Sequence, residues 1–217
     1  MNLFAFNGSP RKTWNTAQLL SHALKGAESE GATTHLYHLY DLDYTGCTSC
    51  FACKRAGGKH YGHCAVQDDL APILGEIGNA DAILIGSPIY LSVTTGETRS
   101  FLERLVFPYL VYDRTRSTLF PKKIRTAFLY TANASYEMLD AMGVPQGVQP
   151  TERLMERIFG SCESFFVTDT LQFDNYADYV SSAYDPVAKK KRHDTQFPLD
   201  CKKAYELGAR LVQSNAP

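Results

Sequence analysis

Apolar positions along the chain fall into short continuous runs that alternate with stripes spaced by three and four. Residues 3–6 form such a run, and it breaks at Asn7-Gly8-Ser9-Pro10, a cluster of turn formers. Beyond the break, Trp14, Ala17, Leu20, Leu24 and Ala27 recur at helical intervals. Residues 34–43 alternate well enough for a second strand. Asp68 and Asp69 stand where an N-cap belongs, ahead of the stripe Leu70, Ile73, Leu74 and Ile77. Residues 82–85 are uniformly apolar, as expected of a third strand buried on both faces. A helix is predicted at 97–105, a fourth strand at 125–133, a helix at 151–159 and a fifth strand at 165–168. Ala204, Leu207, Gly208 and Leu211 mark a closing helix.

Strands that alternate with helices imply right-handed βαβ units around a parallel sheet. No internal repeat and no linker composition interrupts residues 1–217, so one doubly wound α/β domain is expected. Hydrophobic residues make up 44% of the chain and aromatics 12%, enough for a sizeable core. The formal net charge of −1 gives no global pull toward nucleic acid or an acidic membrane surface. The one basic run, Lys189-Lys190-Lys191-Arg192, is expected on a solvated helix or loop face. No apolar stretch reaches the ~20 residues of a membrane span, and the first residues lack a charged segment before an apolar core. A cytoplasmic protein is therefore expected, with no nucleic-acid or membrane partner. Structural disulfides are rare in that compartment, so clustered cysteines point to metal or redox chemistry.

In a doubly wound sheet, ligands sit outside the carboxyl ends of strands, where the strand order reverses. The loop after the first strand carries Ser9, Arg11, Lys12, Thr13, Asn15 and Thr16 ahead of a helix N-terminus. Hydroxyls, an amide and cations in that position suit an anion. The loop is neither a Walker loop nor GxGxxG, which weakens nucleoside triphosphate and dinucleotide readings. After the third strand, Gly86-Ser87-Pro88-Ile89-Tyr90 offers a stiff, flat, apolar surface with main-chain amides, suited to an aromatic ring system.

Four of the six cysteines fall between Cys47 and Cys64. The spacing of Cys47, Cys50 and Cys53 can wrap one turn of chain around a single iron–sulfur cubane. Cys64 follows a longer loop containing Gly57 and Gly58, which allow it to fold back as a fourth ligand. His60 and His63 in the same loop suit zinc as well, and free or redox-active thiols are a third reading. Cys162 and Cys201 each stand alone and are expected as core residues in a helical context.

Taken together, Gly8-Ser9-Pro10-Arg11-Lys12-x-x-Asn15-Thr16 and Gly86-Ser87-Pro88-Ile89-Tyr90 resemble the paired loops of the flavodoxin-like NAD(P)H-dependent FMN reductases. With Cys47, Cys50 and Cys53 between them, the chain resembles the iron–sulfur flavoprotein branch of that superfamily. The resemblance runs from Met1 to around Leu110 and returns in residues 196–212. It implies a flavodoxin-like doubly wound five-stranded parallel sheet of order 2-1-3-4-5, with helices on both faces and a flavin between strands one and three. Ser9, Arg11, Asn15 and Thr16 would hold the FMN phosphate, with Lys12 and Thr13 adding charge and main-chain N–H. Pro88, Ile89 and Tyr90 would line the isoalloxazine ring, Ser87 would sit at the turn, and a third flavin loop is expected at 131–135. A 4Fe–4S cluster would be held by Cys47, Cys50, Cys53 and Cys64.

The function implied is an FMN-dependent oxidoreductase or electron-transfer flavoprotein. It would pass electrons from ferredoxin or NAD(P)H, through FMN, to a small-molecule acceptor. Flavin chemistry needs no acid–base side chain for the hydride step, so no catalytic residue is nominated. One alternative is an FMN-only NAD(P)H:quinone or azo-type reductase. Another is a non-catalytic flavodoxin-like binding or sensory module with a zinc-stapled loop. Residues 104–112 carry more apolar surface than one helix face needs, so a homodimer or larger homo-oligomer is expected to use part of them. Residues 109–118 and 175–197 are expected to shape the substrate side.

Overall fold

A strand with apolar side chains on both faces is stable only where helices cover it on both sides, and that requirement organises the molecule. The computed structural model describes residues 1–213; residues 214–217 of the expected domain lie outside the described residues. In chain order the elements are β1 Asn2–Asn7, α1 Asn15–Ser29, β2 Thr33–His38, α2 Leu70–Glu76, β3 Ala82–Tyr90, β4 Val93–Thr94 and α3 Gly96–Val106. Then follow β5 Ile124–Thr131, α4 Tyr136–Ala141, α5 Val144–Phe159, β6 Gly160–Val167, α6 Pro186–Thr195 and α7 Phe197–Val212.

The sheet order is β2-β1-β3-β5-β6, with every neighbouring pair parallel. It corrects the expected count of five strands to six. The extra strand, β4, pairs antiparallel with the end of β3, Ile89 opposite Thr94 and Tyr90 opposite Val93. Leu91 and Ser92 make this tight reversal with φ of 49° and 69°. Two positive-φ residues in a two-residue hairpin are normally Asn-Gly or a similar pair, so Leu-Ser hides the turn from a sequence reading.

Side chains alternate across each strand. Leu3, Ala5, Leu84 and Leu129 face Leu19 and Leu20 of α1 and Ala204 and Leu207 of α7. Phe4, Phe6, Ile83, Ile85 and Phe128 face the opposite layer, with Phe101, Leu105, Met155 and Ile158 from α3 and α5. Each large side chain buried this way contributes about 1.5–3 kcal/mol.

Several boundaries differ from expectation. β2 stops at His38 and the chain enters a 3₁₀ turn, Leu39–Asp41, so residues 39–43 are not strand. β3, β6 and α5 are longer than expected, and α4 and α6 lack the apolar stripe that would announce them. The basic run on α6 is not simply solvated. Lys189 is buried and its Nζ reaches the Asp169 carboxylate and the Asn133 carbonyl, while Arg192 pairs with Asp200 at 3.0 Å. Lys190 and Lys191 remain exposed. Residues 104–112 mostly cover their own core: Leu105, Val106 and Tyr109 are buried, Tyr109 stands edge-on to Phe120 and Phe159, and Tyr112 is the exposed member. Cys162 lies on β6 and not in a helix, whereas Cys201 is buried on α7 as expected. Among the described residues, no helix is long and apolar enough to cross a membrane.

Candidate functional site

The carboxyl edge of the sheet reverses direction between β1 and β3. There the loop after β1 crosses directly onto β3, with Gly8 N donating to Gly86 O at 2.8 Å. A Cβ on Gly8 would stand 1.8 Å from Thr98 Oγ1, so only glycine permits this approach. Asn7 is fully buried; its Oδ1 accepts from Ser9 N at 3.0 Å and its Nδ2 lies 2.9 Å from His38 Nδ1. Ser9 Oγ then accepts from Arg11 N at 3.2 Å, which turns the chain into α1. Trp14, the N-cap of α1, makes no side-chain cap, and the first turn holds no acidic residue. The positive end of the helix dipole and its free N–H groups therefore face the loop without internal competition.

The expected anion-loop residues are gathered here, but their side chains point three ways. Arg11 Nη1 donates to Gln172 O at 2.6 Å, and Asn15 Nδ2 and Trp14 Nε1 donate to Leu171 O at 2.7 and 3.2 Å. Thr16 Oγ1 pairs with Thr131 Oγ1 at 2.8 Å, while Thr13 is exposed. Lys12 turns away to Asp41 on the far side, at 2.5 Å.

Ser87 is fully buried, accepts from Thr95 N at 3.1 Å and donates to Pro88 O at 2.9 Å. Pro88 and Ile89 are half-buried and Tyr90 is 48% exposed, so the edge beside β1 presents a partly open apolar and aromatic rim. Thr95, which the sequence reading did not single out, joins the two loops. Its Oγ1 donates to Gly8 O at 2.8 Å and accepts from Thr98 N at 3.3 Å as the cap of α3. A threonine just before the helical pattern is the signal that would have found it. Residues 132–134 close the edge through main-chain bonds from Thr170 N to Ala132 O and from Asp169 N to Ala134 O, at 2.9 and 2.8 Å.

The second cluster lies beside the other end of α3. Cys47, Cys50, Cys53 and Cys64 all line one small cavity with Phe51, Glu103, Arg104 and Phe107. Residues 43–51 have no strand or helix, Cys53 sits in a 3₁₀ turn, Ala52–Lys54, and Ser49 and Phe51 take positive φ on either side of Cys50. Gly57 and Gly62 also take positive φ, and Gly62 N donates to Cys53 O at 3.0 Å. That fold-back is what brings Cys64 to the other three. His60 and His63 do not line this cavity; His63 borders a separate one shared with Cys64. Among the described residues, no group of three or more His, Cys, Asp or Glu side chains converges on the position of one metal ion.

Charge around the thiols is arranged by two cations. Burial pushes the Cys53 thiol up, while the neighbouring Lys54 pulls it back in part. Lys54 Nζ donates to the carbonyls of Phe107, Pro108 and Leu110, and burial lowers its own pKa. Arg104 Nε donates to Cys64 Sγ at 2.9 Å, and its guanidinium pairs with both oxygens of Asp68. Burial alone would raise the Asp68 carboxyl, but hydrogen bonds and charge from Arg104 hold it below the usual range. Asp68 also accepts from Leu70 N at 3.2 Å; Asp69 does not cap α2 but accepts from Asp43 N at 2.8 Å. Neither Arg104 nor Lys54 was visible as a site residue, because their partners lie 36 to 59 positions away.

Residues 1–138 match a family described as NADPH-dependent FMN reductase. An iron-sulfur flavoprotein of Archaeoglobus fulgidus is 32% identical over 136 residues, 63% of this chain and 64% of that protein. An iron-sulfur flavoprotein of Methanocaldococcus jannaschii is 32% identical over 104 residues, 48% of this chain and 51% of that protein. The chain thus matches less than two thirds of either relative's length. An NAD(P)H:quinone oxidoreductase structure from Methanothermobacter marburgensis superposes with a TM-score of 0.72 over 97% of this chain and 98% of that one, at 16% identity.

Proposed function

The chain belongs to the NADPH-dependent FMN reductase family, and on that premise we propose that it is an oxidoreductase with two electron-carrying centres. FMN would occupy the carboxyl edge of the sheet, and a 4Fe–4S cluster would be held by Cys47, Cys50, Cys53 and Cys64. When bound, the flavin supplies hydride and one-electron chemistry, and the cluster supplies one-electron chemistry. NAD(P)H or ferredoxin would be the donor and a quinone-type small molecule the acceptor.

The residues suit both groups. The uncapped first turn of α1, with the Ser9 and Thr16 hydroxyls beside it, matches the needs of a phosphate. Arg11 and Asn15 would swing from the Leu171 and Gln172 carbonyls onto that phosphate, whereas Lys12, paired with Asp41, would act only as a more distant charge. Ser87, Pro88, Ile89 and Tyr90 would orient the ring and keep water from one face. Main-chain amides near the β3 loop would favour negative charge on the reduced ring. Four thiols on one cavity, with Arg104 and Lys54 nearby, match a ligand set whose net charge is negative.

The observation that carries this reading is α3. Its cap, Thr95, is bonded to the first flavin loop, and Arg104, nine residues on, is bonded to Cys64. One rigid helix therefore joins the two candidate centres, with those anchor points roughly 14 Å apart along its axis. The test is anaerobic mixing of the purified protein with NADPH. Bleaching of the flavin band, followed by return of colour on addition of a quinone, is the expected result. A flavin band that neither NADPH nor reduced ferredoxin bleaches would overturn the assignment.

A further inference from the structure

Arg104 is a fully buried cation, 1% exposed, in the layer between α3 and the cysteine loop. A buried guanidinium is stable only when its charge is matched and its N–H donors are occupied. An arginine has five such donors in a rigid planar fork. Nε donates to Cys64 Sγ at 2.9 Å. Nη1 donates to Asp68 Oδ2 at 2.7 Å and to Thr45 O at 3.0 Å. Nη2 donates to Asp68 Oδ1 at 3.1 Å and to Val66 O at 3.4 Å.

The partners lie on both arms of one loop. Thr45 precedes Cys47, and Cys64, Val66 and Asp68 follow the fold-back. Asp68 supplies the counter-charge, which leaves the Nε–H free to act on sulfur. The other cation of the site, Lys54, faces three carbonyls and makes no such bond to a thiol.

We propose that Arg104 is the positioning residue of the cysteine centre. It closes residues 45–68 into a loop, holds Cys64 Sγ in the cavity as the fourth ligand, and raises the reduction potential of the centre through its N–H on that sulfur. The last two parts rest on the proposed cluster; the loop closure does not. A hydrogen bond to a ligating sulfur favours the more negative, reduced state, so its loss lowers the potential. Lysine keeps the charge but has no planar fork to span the carboxylate, two carbonyls and the sulfur together.

The test compares wild type with Arg104→Lys and Arg104→Gln, purified anaerobically with FMN bound and checked for folding by circular dichroism. Three quantities are read: amide hydrogen exchange across residues 45–68, iron and sulfide content, and the potential of the remaining cluster by EPR-monitored titration. Exchange at Cys47 and Gly62, the loop amides that donate to the Glu103 carboxylate and to Cys53 O, is expected to quicken by about tenfold or more in both variants, the effect of losing one charge-assisted hydrogen bond. Iron and sulfide should fall together, and the residual centre should titrate at lower potential. Unchanged exchange in Arg104→Gln overturns the closure, and full iron with an unchanged potential overturns the role toward sulfur. If wild type holds no iron while exchange still quickens in the variants, the closure stands and the ligand role falls with the cluster. Should Arg104→Gln fail to fold, Asp68→Asn leaves the guanidinium in place without its counter-charge: exchange should quicken as the loop loses that pair, while the potential should rise because the cation beside the sulfur is no longer balanced. No shift in that variant counts against the proposal.

Discussion

The carboxyl edge of the sheet and the cysteine loop are both irregular backbone, and they are held by different means. At the edge, loops after β1, β3, β5 and β6 lean on one another through main-chain bonds such as Gly8 to Gly86 and Thr170 to Ala132. The strands set those positions, and side chains such as Thr95 only tighten them. The cysteine loop has no strand beneath it. A buried cation from outside the loop, Arg104, and a half-buried one within it, Lys54, tie it to α3 and the segment that follows. Topology builds the first site, whereas a few long side chains build the second. Single side-chain changes should therefore be graded at the edge and severe in the loop.

The largest effect is expected at Cys64. Cys64→Ala should remove most or all iron, with sulfide lost in parallel, because no other side chain of the cavity replaces a thiolate well. FMN should stay bound, since the flavin loops are braced elsewhere. Cys162→Ala and Cys201→Ala should keep full iron. Loss of iron from His60→Ala or His63→Ala, with Cys64→Ala unaffected, would name a different ligand.

At the sheet edge, the double change Asn15→Ala and Thr16→Ala should weaken FMN binding by roughly a hundredfold or more, at about 1.5–3 kcal/mol per hydrogen bond to a charged group. Equilibrium dialysis with iron measured alongside should show the cluster unchanged. An equal loss of both groups would break the claimed independence of the two regions.

Thr95→Val should act more mildly, through both flavin loops at once. Leaving the Gly8 carbonyl and Thr98 N–H without their partner costs about 1–3 kcal/mol. Thermal unfolding should fall by roughly 2–4 °C per kcal/mol for a chain of this length. An unchanged midpoint would mean that Thr95 does not couple the loops.

The smallest effect, and one of opposite sign, is expected at the β3–β4 turn. Leu91→Asn with Ser92→Gly should raise stability by about 1 kcal/mol, because both positions already hold positive φ. A lowered midpoint would show that the exposed Leu91 side chain contributes something the turn geometry does not reveal.

The two regions also differed in how far the sequence exposed them. The carboxyl edge of the sheet was legible because apolar runs such as residues 82–85 announce buried parallel strands, and turn formers mark their carboxyl ends. The hairpin after Tyr90 was not, since Leu-Ser carries no turn signature. The cysteine spacing announced that the thiols share one site, as their common cavity shows, but the anchors of that loop were hidden. Arg104 reads as one more polar position on a helix, and its role depends on Asp68 and Cys64 arriving from a loop far back in the chain. Lys189 was misjudged for the same reason: only the fold brings Asp169 and Asn133 to it. Residues 104–112 looked like surplus apolar surface because Phe120 and Phe159, which cover Tyr109, come from later elements.

The most direct test of two centres in one chain is a visible spectrum of anaerobically purified protein, with flavin, iron, sulfide and zinc determined on the same sample. The expected result is one FMN per chain, with iron and sulfide in the 4Fe–4S ratio and a broad absorbance beneath the flavin bands that dithionite bleaches. FMN without iron would contradict the second centre and leave an FMN-only reductase, and a colourless protein containing zinc would contradict both.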